Sequence, residues 1–212
     1  VIAFTLFCSC DDGDDYIKWP AGVYSKSQIK KLNGFSEQRN NLLSNSGLSF
    51  SDYISLSTDS AWSLNDFEKN KLLELRNAVT FPYKNTIIEK VIPLQDVATY
   101  MNNVYGGTIG GFVSTAADIK NLSTMEDIYW GLRLDYKGSK FLVDGAGYSV
   151  IRFTSSFTDH LYIPFCYELG GTNPHSWPNT GGGFTSSTLG EGGYPEYCFD
   201  NYYIPDQGSE IY

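Results

Sequence analysis

Histidine is almost missing: His160 and His175 are the only two in a chain of 212 residues. Neither is accompanied by a Gly-x-Ser-x-Gly elbow, so both read as surface loop residues rather than as members of a hydrolytic triad. No His-Glu-x-x-His and no cysteine pair at zinc spacing occurs, which argues against a catalytic or structural metal. P-loops and strand-borne Gly-x-Gly-x-x-Gly turns are lacking too, and Gly181-Gly182-Gly183 by itself is a flexible turn. Basic charge is also short. Lys and Arg number 15 against 24 Asp and Glu, for a net charge of −9. With nothing basic clustered, nucleic acid is not expected as a partner.

What is present is globular. Apolar residues make up 42% of the chain and aromatics 16%, above the range of disordered segments. The 21 Gly, 16 Tyr and 13 Phe, with only 18% charged residues, favour a β-rich chain with many tight turns. The length suits one domain, or one domain with a helical annex, large enough to fold without a staple. Cysteines are four. Cys166 and Cys198 fall in expected strands; in an oxidising compartment they could pair, and two buried free thiols are the other reading.

The first residues have a different character. Val1 to Phe7 is an apolar run too short to span a bilayer but suited to the end of an export signal whose charged start would precede it. Cys8-Ser9-Cys10 follows, then Asp11-Asp12-Gly13-Asp14-Asp15. A small residue before a cysteine, with an acidic flexible run behind it, resembles a bacterial lipoprotein processing site, and the acidic run resembles the surface-export signal of Bacteroidota lipoproteins. Cys10 is the better lipid acceptor, because Ser9 precedes it whereas bulky Phe7 precedes Cys8. Residues 1–10 are thus expected to be a truncated signal and lipobox and residues 11–25 a tether. The resemblance implies an extracytoplasmic protein, held at the outer membrane or cell surface by a lipid anchor.

Residues 26–83 read as mainly helical. Ile29, Leu32 and Phe35 are spaced for one helix, which Gly34 weakens. A second helix is expected from Ser63, capped by Ser63 with Asp66 three residues on, with Leu64, Phe67, Leu72, Leu75 and Val79 as its apolar stripe and Pro82 as its stop. Residues 84–212 read as the main domain. Thr86 to Ile92 is a β-branched run expected to be the first strand, and Pro93 opens a short helix. Phe112 to Ser114 is a short strand, with Thr115 capping a helix through Leu122 and Thr124 capping another. The alternation of Leu132, Leu134 and Tyr136 with Arg133 and Asp135 predicts a strand. Phe141 to Val143 and Tyr148 to Thr154 predict a hairpin. Leu161 to Tyr167, Tyr194 to Phe199 and Gly208 to Tyr212 complete the strands, and residues 170–193 form a Gly-rich loop too long for a plain connection. The fold class is α+β: helices first, then a mostly antiparallel β-sheet core.

The order of features in the second half carries a further resemblance. Gly111-Phe112-Val113-Ser114-Thr115-Ala116 comes first, then the long Gly-rich loop, then Tyr194-Pro195-Glu196-Tyr197, then Tyr203-Ile204-Pro205-Asp206-Gln207. Over residues 84–212 this resembles the mono-ADP-ribosyltransferase family, in particular its cholera-toxin-like branch. In that family a strand ending in a Ser-Thr-Ser-type motif braces the NAD site, and a mobile loop leads to a strand bearing the catalytic glutamate. The resemblance implies an ADP-ribosyltransferase-like fold, NAD as substrate, Glu196 as catalytic carboxylate, and Ser114 and Thr115 as residues that position it or the nicotinamide ribose. An enzyme of this kind, exported, implies a toxin or effector with a host or competitor protein as target.

The chain departs from the family in two places. The first strand offers Lys90 where an Arg, or in another branch a His, holds the dinucleotide; Lys binds phosphate as a point charge without the bidentate fork. Arg133 or Arg152 could supply the missing guanidinium if the fold brings either to the cleft. Arginine-modifying members carry a second glutamate two residues before the catalytic one, and here that position is Tyr194. This leaves NAD hydrolysis, or transfer to another acceptor, more open than arginine modification. Glu191 is a second candidate carboxylate. The competing class is a non-catalytic surface lipoprotein whose aromatics (Trp130, Trp177, Phe184, Tyr194, Tyr197, Tyr202 and Tyr203) would stack on a glycan or anchor a protein partner.

Overall fold

Among the described residues, four helices precede the first strand. The computed structural model describes residues 26–58, 63–172, 179–187, 192–206 and 208–212. The expected signal, Cys8, Cys10 and the tether lie outside these residues, as do His175, Trp177 and Glu191. Helix α1 spans Lys26–Ile29, α2 Phe35–Ser46, α3 Phe50–Thr58 and α4 Asp66–Asn77. Gly34 does more than weaken a helix: it separates α1 from α2, because its bare Cα lies directly against the Ala117 carbonyl, where no Cβ fits. The N–H of Phe35 then donates to Asp118 Oδ1 at 2.5 Å, docking the start of α2 on the main domain.

Helix α4 begins two residues later than the spacing of Ser63 and Asp66 suggests. Asn65 is the cap: its Oδ1 accepts the N–H of Glu68 at 3.0 Å, and Glu68 Oε2 accepts the N–H of Asn65 at 2.8 Å. Leu64, Leu72, Leu75 and Val79 of the expected stripe are buried, whereas Phe67 is 67% exposed. The helix stops at Asn77, before Pro82 is reached.

Among the described residues six strands follow: β1 Ile88–Pro93, β2 Ile109–Thr115, β3 Tyr148–Phe153, β4 Leu161–Tyr162, β5 Tyr197–Tyr203 and β6 Glu210–Ile211. They form an antiparallel sheet in the order β4-β5-β2-β1-β3-β6. Helix α5 (Val97–Met101) lies between β1 and β2, and α6 (Met125–Gly131) between β2 and β3. Helices and an antiparallel sheet make the chain α+β.

Several expectations fail locally, among them the strand over Leu161 to Tyr167, of which only Leu161–Tyr162 forms. Residues 116–121 form turns rather than a helix, Leu132–Tyr136 is a turn rather than a strand, and residues 141–143 do not pair with β3, whose neighbours are β1 and β6. In each case short-range periodicity was outweighed by tertiary placement. Cys166 and Cys198 are both free and buried, so of the two readings left open the structure has the pair of thiols. Cys198 lies within β5 opposite Phe112 and Tyr162, while Cys166 sits beneath Gly181.

One core joins the two segments. Phe35, Leu43, Tyr53, Leu72 and Leu75 from the helices pack with Ile88, Val113, Ile151, Phe153 and Phe199 from the strands. Phe184 is stacked against Phe35 at 5.6 Å and meets the edge of Tyr53 at 5.4 Å. Tyr53, fully buried, donates its hydroxyl to the Gly193 carbonyl at 2.6 Å. Tyr53→Phe would leave that carbonyl unsatisfied inside the core. It is expected to lower unfolding free energy by about 1–3 kcal/mol in urea titration, whereas Phe67→Ala on the solvent face should change it by less than about 0.5 kcal/mol.

Candidate functional site

Strand β1 pairs with β3 along its whole length, from Ile88 to Pro93. With β2 it makes only two registered pairs, Ile88↔Thr115 and Glu89↔Ser114. Beyond Glu89 the two strands part, and a cavity of about 430 Å³ opens between them. Five consecutive residues of β2, Gly110 to Ser114, line it, with Glu89, Lys90 and Val91 of β1. The volume is within the ordinary range of small-molecule sites.

Parting strands leave backbone groups without a ladder partner, and those groups need another. Carbonyls two residues apart on a strand point the same way. The carbonyls of Gly110 and Phe112 both receive the Lys90 ammonium, at 2.8 and 3.2 Å. Burial pushes the Lys90 pKa down to about 8.

Glu196 enters the cleft from the other side. Residues 183–185 run antiparallel to 194–196, with a Phe184↔Pro195 bridge, Thr185 N–H to the Tyr194 carbonyl at 2.8 Å and Glu196 N–H to the Gly183 carbonyl at 3.0 Å. The Glu196 side chain is buried, and its carboxylate is held by Thr180. The Thr180 N–H lies 3.2 and 3.1 Å from the two oxygens, and the Thr180 hydroxyl donates to Oε2 at 2.7 Å. Desolvation raises the Glu196 pKa to about 7, against the opposing pull of Thr180 and the Arg133 charge.

Arg133 reaches the cleft through a helix end. The N–H of Leu134 bonds to the Tyr129 carbonyl at 2.9 Å and that of Arg133 to the Trp130 carbonyl at 3.3 Å, a Schellman closure of α6. Glycine is usual at its left-handed position; Arg133 occupies it at φ 53°. From there Nη1 donates to the Ser186 carbonyl at 2.8 Å and Nε to Asp135 Oδ1 at 2.9 Å.

Of the residues singled out from sequence, Lys90, Ser114, Arg133 and Glu196 therefore line one cavity. Thr115 does not line it: its hydroxyl accepts the Asp118 N–H at 3.1 Å and closes the turn after β2. Arg152 also stays outside, bound to Glu89 Oε1 at 2.6 Å and stacked on the Tyr212 ring. His160 pairs with Asp200 at 3.0 Å on the exposed side of β5. Sequence reasoning missed Asn179 and Thr180, which have no motif of their own, and Tyr100 and Tyr105. Among the described residues, no group of three or more His, Cys, Asp or Glu is placed to hold a metal ion. Phe184, Tyr194 and Tyr197 of the proposed aromatic platform are core residues. The chain matches no protein-family model, no curated protein and no solved structure.

The buried carboxyl ties stability to pH. Its folded pKa of about 7 lies above the ordinary 4.5, so the native state keeps a proton that the unfolded chain has lost. Its contribution is fully present below the ordinary value and is lost as pH rises to 7, by roughly 3 kcal/mol at most. Glu196→Gln is therefore expected to gain stability relative to the wild type between pH 5 and pH 8 in urea unfolding; equal differences at both pH values would remove the buried-carboxyl interpretation.

Proposed function

We propose that the cleft between β1 and β2 is the site of an ADP-ribosyltransferase-like enzyme that uses NAD, with Glu196 as its catalytic carboxylate. The observation that carries the reading is the convergence of Glu196, Ser114 and a basic pair, Lys90 and Arg133, on one cavity from four separate stretches of chain. The order along the chain supports it, with Lys90 on the first strand, Ser114 near the end of the second and Glu196 after the Gly-rich loop, although Glu196 precedes the following strand instead of lying on it.

The chemistry fits the residues. Breaking the bond between C1′ of the ribose and the pyridinium nitrogen sends the electron pair to the nicotinamide, which leaves neutral, and builds positive charge on the ribose. A desolvated carboxylate stabilises that charge more in the transition state than in the ground state. Water then bonds to C1′ and its proton is lost, giving ADP-ribose and a proton. Ionised Glu196 can accept a ribose hydroxyl while still holding Thr180, since a carboxylate has about four acceptor positions. Tyr194, where arginine-modifying members have a glutamate, is buried and offers no second carboxylate. Hydrolysis of NAD is thus favoured over transfer to arginine.

Incubated with NAD⁺, the protein is expected to release nicotinamide at a rate that rises with pH through about 7, as Glu196 ionises. Glu196→Ala should cut the rate at least about a hundredfold. Equal release by wild type and Glu196→Ala would overturn the assignment.

The proposal extends to location: an exported lipoprotein anchored through Cys10, whose target is a host or competitor protein or the NAD pool of the cell it enters. Expressed in an exporting bacterium behind a charged signal start joined to Val1, with a clickable palmitate analogue, the chain is expected to be labelled, Cys8→Ala still labelled and Cys10→Ala unlabelled.

A further inference from the structure

We infer that the end of the cleft remote from Glu196 is a seat for a second planar ring, the purine of the dinucleotide whose nicotinamide ribose lies at the carboxylate. The inference rests on the function proposed above. The cleft runs along β2. Its floor, Gly110 to Ser114, is five residues of strand, about 13 Å from first to last at the usual rise. Phe112 stands opposite Cys198 and Val113 opposite Tyr197, so continuing the register brings Glu196 across from Ser114.

Tyrosines gather at the opposite end. The Tyr202 ring lies so close on Gly110 that a Cβ there would come within 2.7 Å of it. Tyr100 and Tyr105 meet edge to face with centroids 5.0 Å apart and line the same cavity. Tyr202 lines that cavity as well, so the three rings face one cleft. Tyr202 is 64% and Tyr105 45% exposed, so aromatic surface stands open to the cleft mouth.

Between the two ends lies Lys90, with two of its three N–H donors on the carbonyls of Gly110 and Phe112 and the third left for a ligand. Carboxylate, ammonium and aromatic cluster thus follow one another along the strand. A dinucleotide presents ribose, pyrophosphate and purine in the same order, and its length bridges a distance that a mononucleotide does not. Arg133 stays with the carboxylate end through its bond to Ser186, so the midpoint cation is Lys90.

The test compares two ligands on two variants. Tyr202→Ala and Tyr105→Ala remove exposed rings and should fold as the wild type does, checked by thermal unfolding. NAD⁺ and nicotinamide mononucleotide are titrated by calorimetry. The expected result is NAD⁺ binding weakened about tenfold by loss of one stacking ring, nicotinamide mononucleotide binding changed less than about twofold, and NAD⁺ binding recovered in Tyr202→Trp. If NAD⁺ binding is unchanged, or both ligands weaken equally, the ring seat is overturned while Glu196-dependent nicotinamide release leaves the enzymatic reading standing. If wild type binds no NAD⁺, both are overturned.

Discussion

The structure depends on the separation of β1 and β2 after two residue pairs. An antiparallel sheet that kept its ladder there would have no cavity, and one that parted without compensation would bury orphan carbonyls at about 1–3 kcal/mol each. Lys90 resolves the conflict. Its ammonium spans the gap and satisfies Gly110 and Phe112 from β1. A guanidinium would fill more of the cleft with its planar fork; the compact ammonium closes two acceptors and keeps one donor. The lysine at this position therefore has a structural duty in the sheet itself.

The helical segment matters for the same cleft. The stretch that leads to Glu196 is held by groups from α2 and α3: Tyr53 on the Gly193 carbonyl, Ser57 on the Ser186 hydroxyl, and Arg39 on the Gly192 carbonyl at 3.4 Å. Gly182 packs in ordinary van der Waals contact with the Ser57 carbonyl and Leu72. Burying a carboxyl costs free energy unless its partners are fixed in advance. Here Thr180 is fixed by its neighbours in that stretch, where Asn179 Oδ1 accepts the Gly181 N–H at 2.8 Å and Cys166 N–H bonds to the Gly181 carbonyl at 3.0 Å. The helices thus buttress the loop from behind while β2 lines the cleft in front.

Much of this was legible from residues whose local and tertiary roles agree. The β-branched run before Pro93, the capping of α6 by Thr124 and the buried positions of α4 come out as periodicity suggests. Where the two levels conflict, the sequence misleads. Leu132 to Tyr136 alternates like a strand, yet the end of α6 closes on it, and the closure places Arg133 rather than an edge of the sheet at the cleft. Ser114 and Glu196 were visible through a motif, but Thr180 was not: a threonine in a glycine-rich loop carries no periodic or compositional mark. The tyrosine cluster was hidden for a related reason, since Tyr100 and Tyr105 follow β1 while Tyr202 ends β5, and only the register of β2 with β5 brings them to one end.

Arg133 offers an argument from local conflict. A Schellman closure favours glycine at its left-handed residue, and a side chain there costs about 1 kcal/mol. The cost is offset by what the backbone angle achieves: it sends the guanidinium across the cleft mouth to the Ser186 carbonyl, with Asp135 two residues on fixing its Nε. A purely structural closure would be served better by glycine, which needs no such compensation. Its positive charge also lowers the cost of ionising the buried Glu196. A strained residue whose side chain supports a buried carboxylate is the kind of local inconsistency that accompanies functional sites, and here it lies at the same end of the cleft as Ser114, remote from the tyrosines.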